Sequence, residues 1–217
     1  MESNIEEKVN QHTKDIENRN FKPPECPCPK CHELPDTYKP HEYPVRIVRF
    51  IIDNVVVTIS TLLIRWKCTL CRKTFTQYPY FLLPYKQYTV VDILRLSESY
   101  LENDDLTYRD VANFNGNLIF HKDRNENIPD DRYFAPATIW RWLDFLGADP
   151  VIIDEALNQI RQKAAGNTLF RQIFPIVRHK YLSLKRKMIL ENARKLIHIN
   201  KAFIKLFGND IFPVLRI

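Results

Sequence analysis

The sequence predicts an α+β protein, with a β-rich N-terminal part followed by an all-α remainder. Three observations support this prediction. Two Cys-x-x-Cys pairs, Cys28/Cys31 and Cys68/Cys71, flank a segment rich in Val, Ile and Thr. From Thr89 onwards, apolar residues recur at helical spacing instead. Beyond residue 168 the helical pattern continues with a marked excess of lysine and arginine, which predicts basic C-terminal helices.

The paired cysteines are spaced as in a zinc ribbon. Each Cys-x-x-Cys knuckle places two thiolates at one corner of a tetrahedron, and the hairpin between the knuckles brings the two corners together. The sequence therefore predicts one structural Zn²⁺ with four ligands, Cys28, Cys31, Cys68 and Cys71. A four-thiolate site has no open coordination position, so its expected role is in folding. The alternative is four thiols that never meet.

Composition limits the class of protein. The chain has 217 residues and five cysteines, of which Cys26 is the unpaired one, and its formal charge is +6. Cysteines arranged in metal-type pairs favour a reducing compartment over disulfides. His32 and His41 are possible substitute ligands. Only four glycines occur, which excludes glycine-rich phosphate loops. No apolar run is long enough for a membrane span, so we expect a cytoplasmic protein without membrane partners.

The N-terminal half divides into two predicted units. Residues 1–24 are polar and predict either a solvated helix or a disordered segment. Residues 25–88 form the zinc ribbon and an aromatic linker. Within it, Val45–Ile52 and Val55–Trp66 form a hairpin around Asp53-Asn54, and Lys73–Tyr78 forms the last strand. The linker, residues 77–88, is rich in aromatic residues and is expected to pack the ribbon against the helical part of the chain.

Residues 89–148 are predicted to form a helix-turn-helix-like domain. Thr89 begins a first helix that ends near Asn103, and Thr107 with Asp110 caps a short second helix. Residues 115–134 predict a polar, irregular insertion, which is longer than the tight turn of a standard helix-turn-helix. A third helix is expected to begin at Pro136 and to be closed by Gly147.

The third helix has the pattern expected of a DNA-reading helix. One face is apolar and predicted to pack inward, and it comprises Ile139, Trp142, Leu143 and Leu146. The opposite face bears Arg141, which can donate two hydrogen bonds to guanine, with Thr138 near its N-terminal end. The alternative is an apolar helix of an α-bundle, in which Trp140 and Phe145 belong to the core.

Residues 149–217 are predicted to form a basic helical region. One helix runs from Asp149-Pro150 to about Ala165, and a helical pattern follows from Leu169 to Phe207. Basic side chains such as Lys185-Arg186-Lys187 could track a phosphate backbone, opposed in sequence only by Glu191. The alternative is a solvated helix face. Apolar residues in the same segment indicate that it also packs on the chain's own core, a second copy or a partner.

Three stretches resemble a known family. Arg65-Trp66-Lys67-Cys68-Thr69-Leu70-Cys71-Arg72-Lys73-Thr74-Phe75-Thr76 resembles the second half of zinc ribbons in bacterial insertion-sequence transposases and their accessory proteins. Tyr108–Ala112 and Ala137–Trp142 are similar to helices two and three of the helix-turn-helix in such mobile-element proteins. The resemblance spans residues 26–147 and implies DNA binding. A transposase catalytic domain is missing, so it implies DNA recognition rather than strand transfer.

Together these features predict a non-catalytic, zinc-dependent protein that binds double-stranded DNA as a component of a transposon or related mobile element. Its expected partners are DNA, a transposase or other mobile-element protein, and a second copy of the chain. The alternatives are a protein-interaction adaptor and a transcription regulator unrelated to transposition. An enzyme is not expected, because no run of strands follows residue 80 to present metal-binding carboxylates. The predicted DNA contacts are Thr138, Trp140, Arg141, Arg65, Lys67, Arg72, Lys73, Lys185, Arg186 and Lys187.

Overall fold

The computed structural model describes residues 4–35, 37–113, 119–122, 129–148, 150–164, 183–208 and 210–214. The N-terminal elements are α1 (Asn4–Glu17), β1 (Tyr38–Glu42), β2 (Val45–Ile52), β3 (Val55–Leu62), β4 (Ile64–Cys68) and β5 (Thr74–Gln77). They are followed by α2 (Val90–Glu102), α3 (Tyr108–Ala112), β6 (Phe120–Lys122), β7 (Pro129–Tyr133), α4 (Ala137–Ala148), α5 (Pro150–Lys163), α6 (Leu184–Phe207) and α7 (Ile211–Val214). Among these residues, no helix is both long and apolar enough to cross a bilayer.

The strands form two sheets, which corrects the predicted ribbon. The cysteine-bearing sheet has the order β1-β4-β5, and a second sheet has the order β2-β3-β6-β7. The predicted hairpin exists, but β2 and β3 lie in the second sheet. The long strand predicted to end at Trp66 breaks between β3 and β4, because Leu63 and Ile64 are both buried but in different apolar clusters. A single strand would have pointed successive side chains to opposite faces of one sheet.

The turn of the β2–β3 hairpin is as predicted. Asp53 and Asn54 both have positive φ, at 46° and 63°. That is the backbone of a two-residue type I′ turn, whose twist matches the flanking strands and which Asn and Asp tolerate. The antiparallel register is continuous from Val45–Leu62 to Ile52–Val55.

The N-terminal segment is a packed helix, not a solvated or disordered one. Val9 and Ile16 of α1 are buried in two different apolar clusters, the first with Phe50 and the second with Trp66. The helix also bonds to β3, since the His12 Nε2 lies 3.1 Å from the Leu62 carbonyl oxygen. Sparse apolar residues at helical spacing are therefore sufficient to dock α1 across both sheets.

The aromatic linker packs on both sides, as the sequence predicted. Phe81 and Leu82 are buried in the cluster beneath the β2–β3 hairpin, whereas Leu83 and Tyr88 belong to the core of the helical part. Ile51 of β2 lies in that same helical core. The second sheet and the helices consequently share one apolar interior.

The caps of α2 and α3 match the sequence prediction. The Asp92 N–H donates to Thr89 Oγ1 at the start of α2, and the helix ends at the predicted Asn103. Thr107 and Asp110 form a reciprocal capping box on α3. α3 ends at Ala112 with Asn113 as its C-cap, and Phe114, the last residue of the predicted second helix, lies outside the described residues.

The insertion predicted to be irregular contains strands. β6 pairs in parallel with the start of β3, and β7 pairs antiparallel with β6. β6 and β7 thus extend the second sheet, and the expectation that no strands follow residue 80 is wrong. The edge of β3 carries backbone groups that pair with β6. The local sequence of the insertion does not indicate this pairing, because the partner strand is distant in sequence.

Gly147 does not close its helix. α4 continues to Ala148, and a Cβ atom at Gly147 would lie only 1.9 Å from the carbonyl oxygen of Ile189 in α6. The glycine therefore allows α6 to approach the α4 backbone. α6 itself is capped by Ser183 and ends at Gly208, whose φ is +79°. The predicted pattern from Leu169 to residue 182 lies outside the described residues.

Candidate metal centre and exposed basic surface

The two cysteine knuckles adopt the same backbone turn. In the first, the Cys28 N–H donates to the Glu33 carbonyl and the His32 N–H donates to the Cys28 carbonyl, both at 2.8 Å. The second repeats this with Cys68 and Arg72. His32 and Arg72 occupy equivalent positions and have positive φ, at 61° and 60°. Two segments 40 residues apart thus share one geometry, which is how paired knuckles present sulfur atoms symmetrically.

The four cysteines converge as the sequence predicted. The sulfur atoms of Cys28, Cys31, Cys68 and Cys71 all lie within 4.8 Å of one another. The Cys28 and Cys71 sulfurs are 3.8 Å apart, and a tetrahedral site with metal–sulfur bonds of about 2.3 Å requires sulfur separations of about 3.8 Å. Cys28 and Cys68 are fully buried, and the other two are half-buried. The donor set fits a single tetrahedral metal ion.

The pKa values of the cysteines also indicate a site for a cation. Burial disfavours the Cys28 thiolate, but N–H groups of Lys30 and Cys31 and the thiols of Cys31 and Cys68 hydrogen-bond to its sulfur, and its pKa falls to about 7. The Glu33 N–H lowers the pKa of Cys31, yet burial and the neighbouring sulfurs outweigh it and raise the pKa to about 11. Four thiolates cannot be held together unless a cation balances their charge.

The unpaired cysteine and the two possible substitute ligands lie outside the cluster. Cys26, His32 and His41 are not among the grouped sulfur and nitrogen atoms of the described residues. The Cys26 carbonyl instead accepts a 2.6 Å hydrogen bond from the Tyr38 hydroxyl, which anchors the first knuckle to β1. Trp66 is 1% exposed beneath the site, and its indole N–H donates to Gln77. The sheet core therefore supports the knuckles from below.

The predicted basic residues of the ribbon lie at its surface. Arg65 and Lys67 alternate with the buried Trp66 on β4 and so share the outer face, and Arg65 is paired with Glu42 at 2.8 Å. Arg72 and Lys73 are exposed on the second knuckle. Sequence reasoning missed Lys39, which lies directly opposite Lys67 in the β1–β4 register. The signal that would have revealed it is the short β1 strand, which was not predicted.

The exposed side of α4 is also as predicted. Ile139, Trp142, Leu143 and Leu146 are buried. The exposed residues Ala137, Arg141, Asp144 and Ala148 follow one another along the opposite side, and we call this row the α4 ridge. Thr138 is half-buried beside it. Trp140 and Phe145 are half-buried and pack against the core. The alternative prediction, that both belong to the core, is therefore met in part.

Two cations flank the α4 ridge, one on each side. The Lys86 ammonium lies 4.4 Å from the centroid of the Phe145 ring, and the Arg186 guanidinium carbon lies 4.2 Å from that of the Trp140 ring. Arg186 also donates to the Tyr108 hydroxyl at 3.3 Å. The tertiary structure thus unites the predicted Trp140, Arg141 and Arg186, and adds Lys86, which no sequence pattern singled out. Lys185 is exposed beside Arg186, and Lys187 is half-buried.

Part of the basic tail is neutralised by α2. Arg194 forms two hydrogen bonds of 3.1 Å to Glu102, which also contacts His198, and Lys201 pairs with Glu98. Glu191 is the only acidic residue within the segment itself, but α2 supplies two further carboxylates. The partners are distant in sequence and become neighbours when α6 packs on α2. The exposed basic surface is accordingly concentrated at the start of α6.

The helices of the predicted helix-turn-helix are present without its tight turn. α3 and α4 both contact α2, and β6 and β7 lie between them in the chain. Comparison with protein-family models, with curated proteins and with solved structures found no match for this sequence or fold.

Proposed function

We propose that this chain is a non-catalytic DNA-binding protein whose fold is stabilised by one zinc ion. The observation that carries this proposal is the α4 ridge: an exposed arginine, Arg141, stands between two cations, Lys86 and Arg186, that are held against aromatic rings.

The dimensions and chemistry of the ridge suit the major groove. The groove admits one α-helix, and small side chains such as Ala137 near the N-terminal end of that helix permit close approach to base edges. Arg141 could then donate two hydrogen bonds to a guanine. Lys86 and Arg186, one on each flank, would meet the phosphates on the two sides of the groove. Asp144 on the same ridge would favour cytosine or disfavour closely placed phosphate.

Zinc is the metal that the site favours. Four thiolates in tetrahedral geometry select zinc or iron–sulfur chemistry, and a compact set of single sulfurs around one position suits a mononuclear site. The ion would join the two knuckles and hold β4 against β1. Its contribution would be to folding, since no ligand position is open.

The outer face of the ribbon sheet provides a second proposed contact. Lys39 and Lys67 are directly opposed across two strands, an arrangement that is unfavourable unless an anion lies between them. Together with Arg72 and Lys73 they would bind phosphate without reading sequence.

The role in a mobile element rests on the resemblance of residues 26–147. Under this proposal the chain acts in the bacterial cytoplasm on the nucleoid, alongside a transposase or another mobile-element protein. The transcription-regulator alternative uses the same surface. Neighbouring reading frames distinguish the two, because a transposase gene beside this one would support transposition.

Fluorescence anisotropy with duplex DNA tests the proposal. We expect binding at low salt, where the phosphate contribution is largest. Arg141→Ala and the double change Lys185→Ala/Arg186→Ala should each weaken it by about tenfold, as expected for loss of a base contact or two phosphate contacts. Lys205→Ala, which removes one exposed charge from the last turn of the same helix, is the matched control. No binding by the wild type at low salt would contradict the proposal.

A protein-interaction adaptor is the second candidate. It is favoured by Leu184 and Met188, which lie one helical turn apart at the start of α6 and are 81% and 56% exposed. Under this alternative, duplex binding is absent or insensitive to the Arg141 change, whereas Leu184→Ser weakens binding to the partner protein.

A further inference from the structure

The linker before α2 contains a strained turn with an exposed tyrosine. Residues Leu83-Pro84-Tyr85-Lys86 form a four-residue turn, closed by a 3.2 Å hydrogen bond from the Lys86 N–H to the Leu83 carbonyl. Proline at the second position and a positive φ at the third is a combination that glycine usually completes. Tyr85 instead has a φ of 61°, in the left-handed region that bulky residues avoid.

Packing of the Tyr85 ring does not compensate for this backbone strain. Tyr85 is 87% exposed, the largest value among the exposed large hydrophobic side chains of the described residues. The neighbouring tyrosine of the same linker, Tyr80, is less exposed and lies edge-on to Phe81. An aromatic side chain kept in water at a position that favours glycine is an outlier of the type that marks functional sites.

The backbone of this turn is held on both sides of Tyr85. Leu83 is fully buried on one side. On the other, Arg46 donates a 3.2 Å hydrogen bond to the Lys86 carbonyl, and Arg49 donates one to the Gln87 side chain. The Lys86 ammonium rests on Phe145. Tyr85 therefore lies in a turn whose backbone is held in place by hydrogen bonds and by the packing of Leu83.

This turn lies next to the α4 ridge. Lys86 follows Tyr85 directly and contacts the helix that bears Arg141. Burial lowers the pKa of Lys86, the Asp144 carboxylate opposes this shift, and the positive charge of Arg141 adds to it. Arg46 brings a further guanidinium to the base of the turn. Lys86, the residue next to Tyr85, thus has Arg141, Arg46 and Asp144 as charged neighbours.

We infer that Tyr85 is a base-stacking residue, which receives an unpaired nucleotide next to the duplex contacted by the α4 ridge. The inference rests on the proposed function and deepens it. A phenol ring has no charge for phosphate, but its face stacks on any nucleobase. Bases inside a duplex are already stacked on their neighbours, so the ring requires one that is unpaired or extruded. Lys86, with Arg46 and Arg141 near it, would hold the adjoining backbone.

Two DNA probes of the same sequence test the inference by anisotropy, one an intact duplex and the other ending in a single-stranded fork. The wild type is expected to bind the fork at least fivefold more tightly, the lower end of the range that one stacked base contributes. Tyr85→Gly removes the ring while suiting the positive φ, so it should fold at least as stably as the wild type and lose the preference. Tyr85→Phe should keep it.

A 2-aminopurine base at the fork junction gives a second readout, since its fluorescence is quenched by stacking. Quenching is expected with the wild type and Tyr85→Phe and is lost with Tyr85→Gly. Tyr80→Ala is the matched control and should behave as the wild type. If the wild type binds the duplex but shows no preference for the fork, or if Tyr85→Gly retains the preference, the inference is overturned while the proposed function stands. Failure to bind either probe overturns both.

Discussion

The backbone of Gly147 lies against the carbonyl group of Ile189, in a contact so close that a Cβ atom would stand 1.9 Å from the carbonyl oxygen. The Asn192 side chain reinforces the contact by donating a 3.1 Å hydrogen bond to the Gly147 carbonyl. α4 and α6 are joined here, and the same approach brings Arg186 onto the ring of Trp140. The spacing of the exposed basic surface therefore depends on a residue that is itself buried.

Gly147→Ala is expected to destabilise the protein strongly. The atom opposing the new methyl group is backbone, which cannot rotate away, so α6 must shift. The cost should be about 2 kcal/mol or more in the free energy of unfolding, at the upper end of the overpacking range. Gly208→Ala is the comparison, because nothing lies within 4 Å of that site and only its positive φ opposes alanine, at a cost of about 1 kcal/mol. Urea unfolding measures both, and equal costs would contradict the helix contact.

Removal of the metal should unfold the cysteine-bearing sheet. Elemental analysis is expected to find one zinc per chain, and Cys68→Ser should abolish it, since the remaining three sulfurs cannot complete the tetrahedron. The variant should also unfold at a lower temperature than the wild type. Cys26→Ser is the control and should retain the zinc, because Cys26 is not part of the cluster. A folded, metal-free wild type would refute the site.

The contact between α2 and α6 should weaken in acid. Hydrogen bonds from Arg194 hold the pKa of Glu102 below its ordinary value of 4.5. A carboxylate whose pKa is lowered by folding stabilises the native state fully above its unfolded pKa, and that contribution is lost as the pH falls through the folded value. The stability advantage of the wild type over Glu102→Gln should therefore be present at pH 6 and shrink below about pH 4.5.

Chemical unfolding across this pH range provides the measurement. In an Arg194→Ala background the effect should be much smaller, because the main cause of the shift has been removed and only His198 still lowers the pKa of Glu102. An advantage that stays constant with pH would show that the Glu102–Arg194 pair does not form.

Salt dependence should separate base contacts from phosphate contacts on the α4 ridge. If Lys86 meets a phosphate, Lys86→Ala should reduce the slope of log K against log salt by about 0.9, the value for one released counterion. If Arg141 contacts a base, Arg141→Ala should lower the affinity but change the slope little, because no phosphate contact is lost. Lys205→Ala should leave both unchanged. Anisotropy titrations at four salt concentrations give the slopes, and identical slopes for wild type and Lys86→Ala would place Lys86 outside the interface.

Local chemistry in the sequence was sufficient for the knuckles, the hairpin turn and the helix caps. Each depends on residues within a few positions of one another: Cys-x-x-Cys for the metal corner, Asp53-Asn54 for positive φ, and Thr107 with Asp110 for the capping box. The convergence of the four cysteines was also predictable, because one tetrahedral ion requires four thiolates and each knuckle supplies two of them.

Only the tertiary structure decided how these pieces are assembled. The division into two sheets depends on Leu63 and Ile64 entering different cores, and the strand pairing of β6 depends on an edge of β3 far away in sequence. Gly147 is a close-contact residue because of Ile189, 42 positions later. Lys86 and Arg186 likewise flank the α4 ridge only through their contacts with Phe145 and Trp140, which are distant in sequence. Packing and charge pairing between distant segments have no local signature, since their free energy arises only when the chain brings the partners together.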